Sequence, residues 1–254
     1  MIYMTSPERG IILAAAEGKR LKPLTDLIPK PLIVVDGKPL IFHSLDLLEN
    51  LKVKDVVITI HPQFGNMIKA SIDKKYTGIL NVDFVMQDKH NGIGFAILES
   101  QNLIGDEPFY LRFADEFHPE TKKLKPSDFD KDGSVLVIRK ETKPRYLLQN
   151  TNVVIEEGIK KVSRVNRSPG SMPISEYHLT GLMTFPAEFF NILNKFKDKT
   201  ELYRNGEFST THSIQYLIDN GNSVGYVECD GFYANVNNFR DLVSAYKYSF
   251  SKIK

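Results

Sequence analysis

Two hydrophobic periods alternate along the first half of the chain. Residues 10–15, GIILAA, form a short continuous apolar run, the pattern of a buried strand. Residues 39–52, PLIFHSLDLLENLK, place apolar side chains at helical spacing behind a proline suited to a first turn. The alternation continues: DVVITI (55–60) reads as a strand, PQFGNMIKASIDKKY (62–76) as a more polar helix, and VDFVMQ (82–87) as a strand. GIGFAILESQNL (92–103) then reads as a helix and PFYLRFAD (108–115) as a strand. Strands separated by helices of this length predict right-handed crossovers and a mixed, mostly parallel Rossmann-like α/β sheet flanked by helices. In such sheets ligands bind beyond the carboxyl ends of the strands.

From about residue 134 the texture changes. SVLVIRK, NVVIEE, IKKVSRV and YHLTGLMTF are strand-like with short or irregular connections, followed by helical patterns at PAEFFNILNKF and STTHSIQYLIDNG. This predicts a β-rich elaboration in the second half. A last strand, SVGYVEC, leads into a C-terminal helix carrying Phe239, Leu242, Val243, Tyr246 and Phe250 on one face, a stripe for core packing or for contact in a homo-oligomer. Without a repeat, low-complexity tract or linker, residues 1–254 read as one domain, with a first half at 1–133 and a second half at 134–254.

Composition narrows the function. With 33 basic and 31 acidic residues the net charge is +2, so no global field points to nucleic acid or an anionic membrane. Cys229 is the one cysteine, which leaves no disulfide framework and no cysteine metal cluster. The first residues lack a secretory pattern, and no apolar run approaches the roughly 20 residues of a membrane span. The expectation is a cytoplasmic, soluble protein.

Positive charge is instead local. Residues 13–32, LAAAEGKRLKPLTDLIPKPL, follow the first strand and hold Lys19, Arg20, Lys22 and Lys30 among three prolines and one glycine. Such a loop can cradle phosphate oxygens on its backbone N–H groups. Arg20 offers a fork of donors to those oxygens, and Lys30, between Pro29 and Pro31, is aimed at little entropic cost. If the loop is a phosphate cradle, replacing Arg20 or Lys30 should impair function and, because the loop reads as polar, leave the melting temperature nearly unchanged; a solvated surface loop is the plain alternative. Neither a Walker P-loop nor a G-x-G-x-x-G motif is present.

The same stretch resembles the opening motif of sugar-1-phosphate nucleotidyltransferases, L-A-A-G-x-G-T-R-L-x-P-L-T followed by P-K-P-L. Leu13, Ala14, Ala15, Gly18, Arg20, Leu21, Pro23, Leu24 and Thr25 match it, as do Pro29 to Leu32, and VDGKPLI resembles the continuation. The resemblance implies that Leu13, Ala14, Ala15, Gly18 and Lys19 bind a nucleoside triphosphate, with Arg20 and Lys30 stabilising its polyphosphate. A family Q-x-x-x-x-G pattern is matched by Gln87 and Gly92, implying an amide that reads uracil or thymine and a glycine that admits the base. His90, between them, is read as structural.

The family's G-D at the fourth strand end becomes Ala114–Asp115, which implies Asp115 as a Mg²⁺ ligand. Strand alternation then points Glu116 away from the site. Later motifs match less well. The sugar stretch keeps Tyr146 but has Leu147 in place of glycine, and E-K-P becomes Asn166, Arg167 and Ser168. Arg167 would hold the sugar phosphate and Asn166 the sugar hydroxyls, while Thr180 and Gly181 preserve a T-G motif. The motif G-x-W-x-D-x-G reads GFYANVN, so Asn235 stands where the second metal aspartate is usual, with Asp230 the nearest upstream carboxylate.

The resemblance implies that a nucleoside triphosphate, UTP or dTTP by Gln87, and a sugar-1-phosphate give a nucleotide sugar and pyrophosphate. The changes at Leu147, Asn166 and Asn235 leave two other readings open. One is a nucleotide-binding regulatory paralogue without turnover. The other is a phosphocholine-type cytidylyltransferase, whose cationic group would need aromatic walls such as Tyr177, Phe232 and Tyr233.

Overall fold

The computed structural model describes residues 6–87, 92–130, 132–167, 172–199 and 207–252. Its centre is a nine-stranded sheet. The strands are β1 (Arg9–Ala14), β2 (Asp55–Ile60), β3 (Asn81–Met86), β4 (Phe109–Phe113), β5 (Ser134–Lys140), β6 (Thr151–Glu156), β7 (Lys161–Arg167), β8 (Tyr177–Phe185) and β9 (Val224–Glu228). Their spatial order is β3-β2-β1-β4-β8-β5-β9-β7-β6. β1 to β4 are parallel, and β5 and β9 run in the same direction, whereas β8 and β7 run against them. The strands of the second half therefore extend the first-half sheet.

The register brings the functional ends together. Leu13 lies beside Thr59 and Phe113, so the loops after β1, β2 and β4 leave the sheet at one edge. Because β8 is antiparallel to β4 and β5, with Leu182 beside Arg112 and His178 beside Arg139, its first residues lie at that same edge. The chain's crossovers put the ligand-facing loops where a sheet of this type is expected to bind.

The helices that cover the sheet are α1 (Leu40–Asn50), α2 (Gly65–Tyr76), α3 (Ile93–Glu99), α4 (Pro144–Gln149), α5 (Phe189–Phe196), α6 (Thr210–Asp219) and α7 (Phe239–Phe250). Period-two alternation divides the core. Ile12, Ile58 and Tyr110 face α1 and α2, while Ile11, Val57 and Leu111 face α3, α5 and α6. A third cluster lies to one side: Leu21, Ile33, Val35 and Leu40 from the first half meet Phe117, Val236, Leu242 and Ala245. It packs the loop after β1 against a two-stranded ladder, Glu116–Phe117 with Ala234–Asn235, and against α7.

Several boundaries differ from the sequence reading. The helix expected from residue 62 begins at Gly65, after a separate turn at Pro62–Phe64. The one expected over 92–103 is divided at Ser100 into Ile93–Glu99 and Gln101–Ile104. The strand expected over 108–115 ends at Phe113. α4 forms where only an irregular connection was expected, with Pro144 in its first turn. The stripe on α7 splits: Leu242 is buried and Tyr246 packs on the third cluster, whereas Phe239, Val243 and Phe250 are exposed. Among the described residues no helix is long and apolar enough to cross a membrane.

Candidate active site

A cleft of about 1300 Å³ opens at the shared strand edge. Of the residues singled out in the sequence, Leu13, Ala15, Arg20, Gln87, Gly92, Asp115, Tyr146, Arg167, Thr180 and Asn235 line it. Ala14, Gly18, Lys19, Lys30, Asn166 and Gly181 do not. His90 lies outside the described residues.

Within the loop after β1, Gly18 has φ +70°, and a Cβ there would lie 2.8 Å from the Thr25 Cγ2. The Thr25 hydroxyl donates to the Gly18 carbonyl at 3.0 Å, so this glycine shapes the loop from behind. Lys19 turns to solvent and pairs with Glu17 at 3.2 Å, away from the cleft where it was expected. Arg20 is exposed on the cleft wall.

Lys30 departs most from expectation. It is only 3% exposed, in a one-turn helix between its two prolines. Its ammonium donates to the Asp115 Oδ2 at 2.5 Å and the Asn237 Oδ1 at 2.6 Å. Asn237 in turn donates through Nδ2 to the Asn235 Oδ1 at 2.6 Å. Lys30 is thus anchored behind the cleft wall and not in a solvated loop. Removing it would strip Asp115 of its partner, so the expected neutrality toward stability does not hold; breaking a buried pair costs on the order of 3–5 kcal/mol. Asp115 and Asn235 are brought together by backbone: Asn235 opposes Glu116 in the short ladder, and the Val236 N–H donates to the Asp115 carbonyl at 2.9 Å.

Gln87 is buried at the end of β3, its N–H donating to the Ile60 carbonyl at 3.0 Å. Gly92 has φ +105°, and a Cβ there would come within 2.4 Å of the Phe208 backbone nitrogen. Close approach to the backbone at Phe208 is therefore one reason for glycine here, whatever a base requires.

On the opposite half, Tyr146 stands exposed on α4, and the neighbouring Leu147 is buried, its carbonyl accepting from the Asn152 Nδ2 at 2.6 Å. Arg167 lies at the end of β7 and donates to the Ser209 hydroxyl at 3.4 Å. Asn166, the adjacent residue, is directed elsewhere, as alternation along β7 requires. The Thr180 hydroxyl donates to the Val137 carbonyl at 2.8 Å.

Glu116 was expected to face away, yet it borders the cleft and is 1% exposed. It accepts from Arg112 at 3.1 Å, from the Gly181 N–H at 2.6 Å and from the Tyr233 hydroxyl at 2.6 Å. Burial pushes its carboxyl above the ordinary range and Arg112 opposes that rise. Burial, and then the charge of Glu116, pushes the Tyr233 phenol well up, so it stays a donor. Arg139 and Glu141, also missed, pair at 2.8 Å on the cleft wall. Of the aromatic walls considered for a quaternary ammonium, Phe232 and Tyr233 line the cleft and Tyr177 does not; Phe232 stacks on Tyr248 at 4.1 Å.

The sequence profile of the nucleotidyl transferase family matches residues 9–249. The chain is 24% identical over 242 residues to a glucose-1-phosphate thymidylyltransferase of Streptomyces antibioticus, covering 92% of this chain and 64% of that protein's length. It is 25% identical over 229 residues to the UTP–glucose-1-phosphate uridylyltransferase AglF of Haloferax volcanii, covering 88% and 89%. A crystal structure of a UDP-glucose pyrophosphorylase complexed with UDP-glucose superposes with a TM-score of 0.81 at 20% identity, covering 97% and 99% of the two chains, a likeness of fold.

Beside the cleft, burial holds His118 down to about 3 and His178 to about 4. Both folded values lie below the ordinary value near 6.5, so the unfolded chain takes up protons first as pH falls. Their contribution to stability is complete above about pH 6.5 and is lost as pH falls toward the folded values, at about 1.4 kcal/mol per pH unit for each ring. His118→Leu removes this titration and puts an apolar side chain of similar bulk in the buried place. Denaturant titrations between about pH 6.5 and 4.5 should show His118→Leu losing less stability than wild type, by about that slope. Comparing the two chains cancels carboxylates such as Glu116, whose raised value acts in the opposite sense. Equal slopes would contradict the assignment.

Proposed function

The chain belongs to the nucleotidyl transferase family, and we propose that it transfers a nucleotidyl group from UTP or dTTP to a sugar-1-phosphate, releasing pyrophosphate. The observation that carries this reading is the convergence of Arg20, Gln87, Asp115 and Arg167 on one cleft. An oxygen of the sugar phosphate attacks the α-phosphorus in line, the new P–O bond forms, and the bond to the β-phosphate oxygen breaks with its electrons on pyrophosphate. The attacking phosphate is already ionised, so no protein nucleophile or base is needed. Catalysis is positioning and charge stabilisation.

Each side chain then has one task. Arg20 holds polyphosphate oxygens, Arg167 holds the incoming phosphate, and the Gln87 amide pairs with a base edge that presents both an acceptor and a donor. The names of the thymidylyl and uridylyl relatives support this base choice. Tyr146 and Thr180 contribute to the sugar side of the cleft.

The donor set suits Mg²⁺. Asp115 supplies a carboxylate, one oxygen of which is engaged by Lys30, and Asn235 supplies an amide carbonyl beside it. Mg²⁺ is commonly held by one or two carboxylates together with substrate phosphates. When bound, it supplies charge neutralisation and a template for the triphosphate.

In this reading residues 1–254 act as one unit, the first half serving the nucleotide and the second the sugar phosphate. Consumption of nucleoside triphosphates favours a cytoplasmic setting. The exposed Phe239, Val243 and Phe250 favour self-association through α7. Asn235 in place of a carboxylate favours, as the second reading, a protein that binds nucleotide without turnover. The absence of Tyr177 from the cleft, which leaves two of the three aromatic walls, makes a choline pocket the weaker reading.

A matrix of nucleoside triphosphates against sugar-1-phosphates, scored by pyrophosphate release, tests the transfer. The expected result is turnover with UTP or dTTP, flattened base preference in Gln87→Ala, and a large loss of rate in Arg20→Ala with an unchanged melting temperature. A CTP preference would overturn the base assignment, and binding without release across the matrix would favour the second reading.

A metal titration tests the asparagine. Asn235→Asp adds a negative charge beside Asp115, and the Asn237 amide can still donate to it. The expected result is a several-fold lower Mg²⁺ requirement and a higher rate. An unchanged requirement would remove Asn235 from the metal site.

A further inference from the structure

Glu116 takes no part in the chemistry above, yet it is the most heavily bonded carboxylate at the cleft among the described residues. Its donors come from three separate elements. Arg112 belongs to β4, Gly181 to β8, and Tyr233 to the segment entering the short ladder at Ala234–Asn235. Arg112 is itself fixed, donating through Nη2 to the Glu116 carbonyl at 3.0 Å and through Nε to the Ser44 hydroxyl at 3.4 Å. The pair is 2% exposed on both sides, so each lost bond leaves a desolvated charge short of a partner.

The local backbone is adapted to this carboxylate. Between Leu179 and Met183 the register of β8 against β5 slips, which takes Gly181 out of that ladder. Its N–H points instead at the Glu116 Oε2. A Cβ at position 181 would lie 2.5 Å from that oxygen, so a larger residue would push the Glu116 carboxylate off its present donors. The glycine of the T-G motif therefore answers to Glu116. Each bonded element also carries a cleft-lining neighbour: Asp115 precedes Glu116, Thr180 precedes Gly181, and Tyr233 itself lines the wall.

We propose that Glu116 is a positioning residue that sets the acceptor wall, Thr180 and Tyr233, relative to Asp115. It acts through the Gly181 N–H and the Tyr233 hydroxyl without touching substrate. The acceptor role rests on the nucleotidyl-transfer reading; the positioning itself does not. Two readouts keep them apart.

Tyr233→Phe removes one hydroxyl and keeps the ring, and Glu116→Gln keeps shape while removing charge. Amide hydrogen exchange on the folded proteins should show faster exchange at Gly181 and across residues 231–236 in both variants, with β1 to β3 unchanged. Steady-state kinetics should show the acceptor KM raised about tenfold or more and the nucleotide KM within about twofold. The double variant should be no worse than the worse single one, because both cut the same link. Unchanged exchange at Gly181 and 231–236 in a folded Tyr233→Phe protein would overturn the positioning. Parallel increases in both KM values, or additive losses, would overturn its restriction to the acceptor side. A wild-type protein without pyrophosphate release would fail the transfer reading alone, since exchange still decides the role of Glu116.

Discussion

Lys30 is buried, and an ammonium removed from water must meet negative charge nearby. Asp115 provides it at 2.5 Å, and the two prolines flanking Lys30 fix the backbone that delivers it. The cluster of Leu21, Ile33, Val35, Phe117, Val236 and Leu242 closes over this arrangement from both halves of the chain. One ion pair thereby ties the loop after β1 to the end of β4 and, through Asn237, to Asn235. The loop after β1 and the segment at Asp115 and Asn235 are held relative to each other by that tie. A lysine free in solvent would leave the loop to wander and Asp115 to be oriented by water.

The sheet was legible because its periodicity is strong: the apolar runs at 10–15 and 55–60 are strands, and the basic loop lies at their carboxyl edge. The cleft-facing Arg20, Gln87 and Asp115 were visible as well, through motifs whose spacing survives in this chain, and Arg167 through a segment that matches its motif less well. What escaped depends on contacts distant in sequence. Alternation pointed Glu116 outward because the strand was taken to continue to residue 115. It ends at Phe113, and the turn that follows resets the facing. The prolines around Lys30 announced a rigid backbone but not the apolar cover, which arrives from residues 234–245. Gly92 meets the backbone at Phe208, more than a hundred residues later, and no local pattern encodes that approach.

The departures from the family motif at Asn235 and Asn237 are joined in the structure. Asn235 brings no charge, and Asn237 offers its amide both to Asn235 and to Lys30, so the two asparagines complete one hydrogen-bonded chain ending on Asp115. The charges of Lys30 and Asp115 offset each other at this point, and neither asparagine adds one. In the second half Leu147 is buried through its side chain and bonds Asn152 through its carbonyl, while Tyr146, Thr180 and Arg167 line the cleft.

The central claim is attack at the α-phosphorus, and the fate of labelled phosphates tests it most directly. Parallel reactions with UTP labelled at the α- or the γ-phosphate, sugar-1-phosphate and Mg²⁺ should place the α-label in the nucleotide sugar and the γ-label in pyrophosphate. Transfer of the γ-label to the sugar phosphate, or its release as inorganic phosphate by the protein alone, would contradict the account.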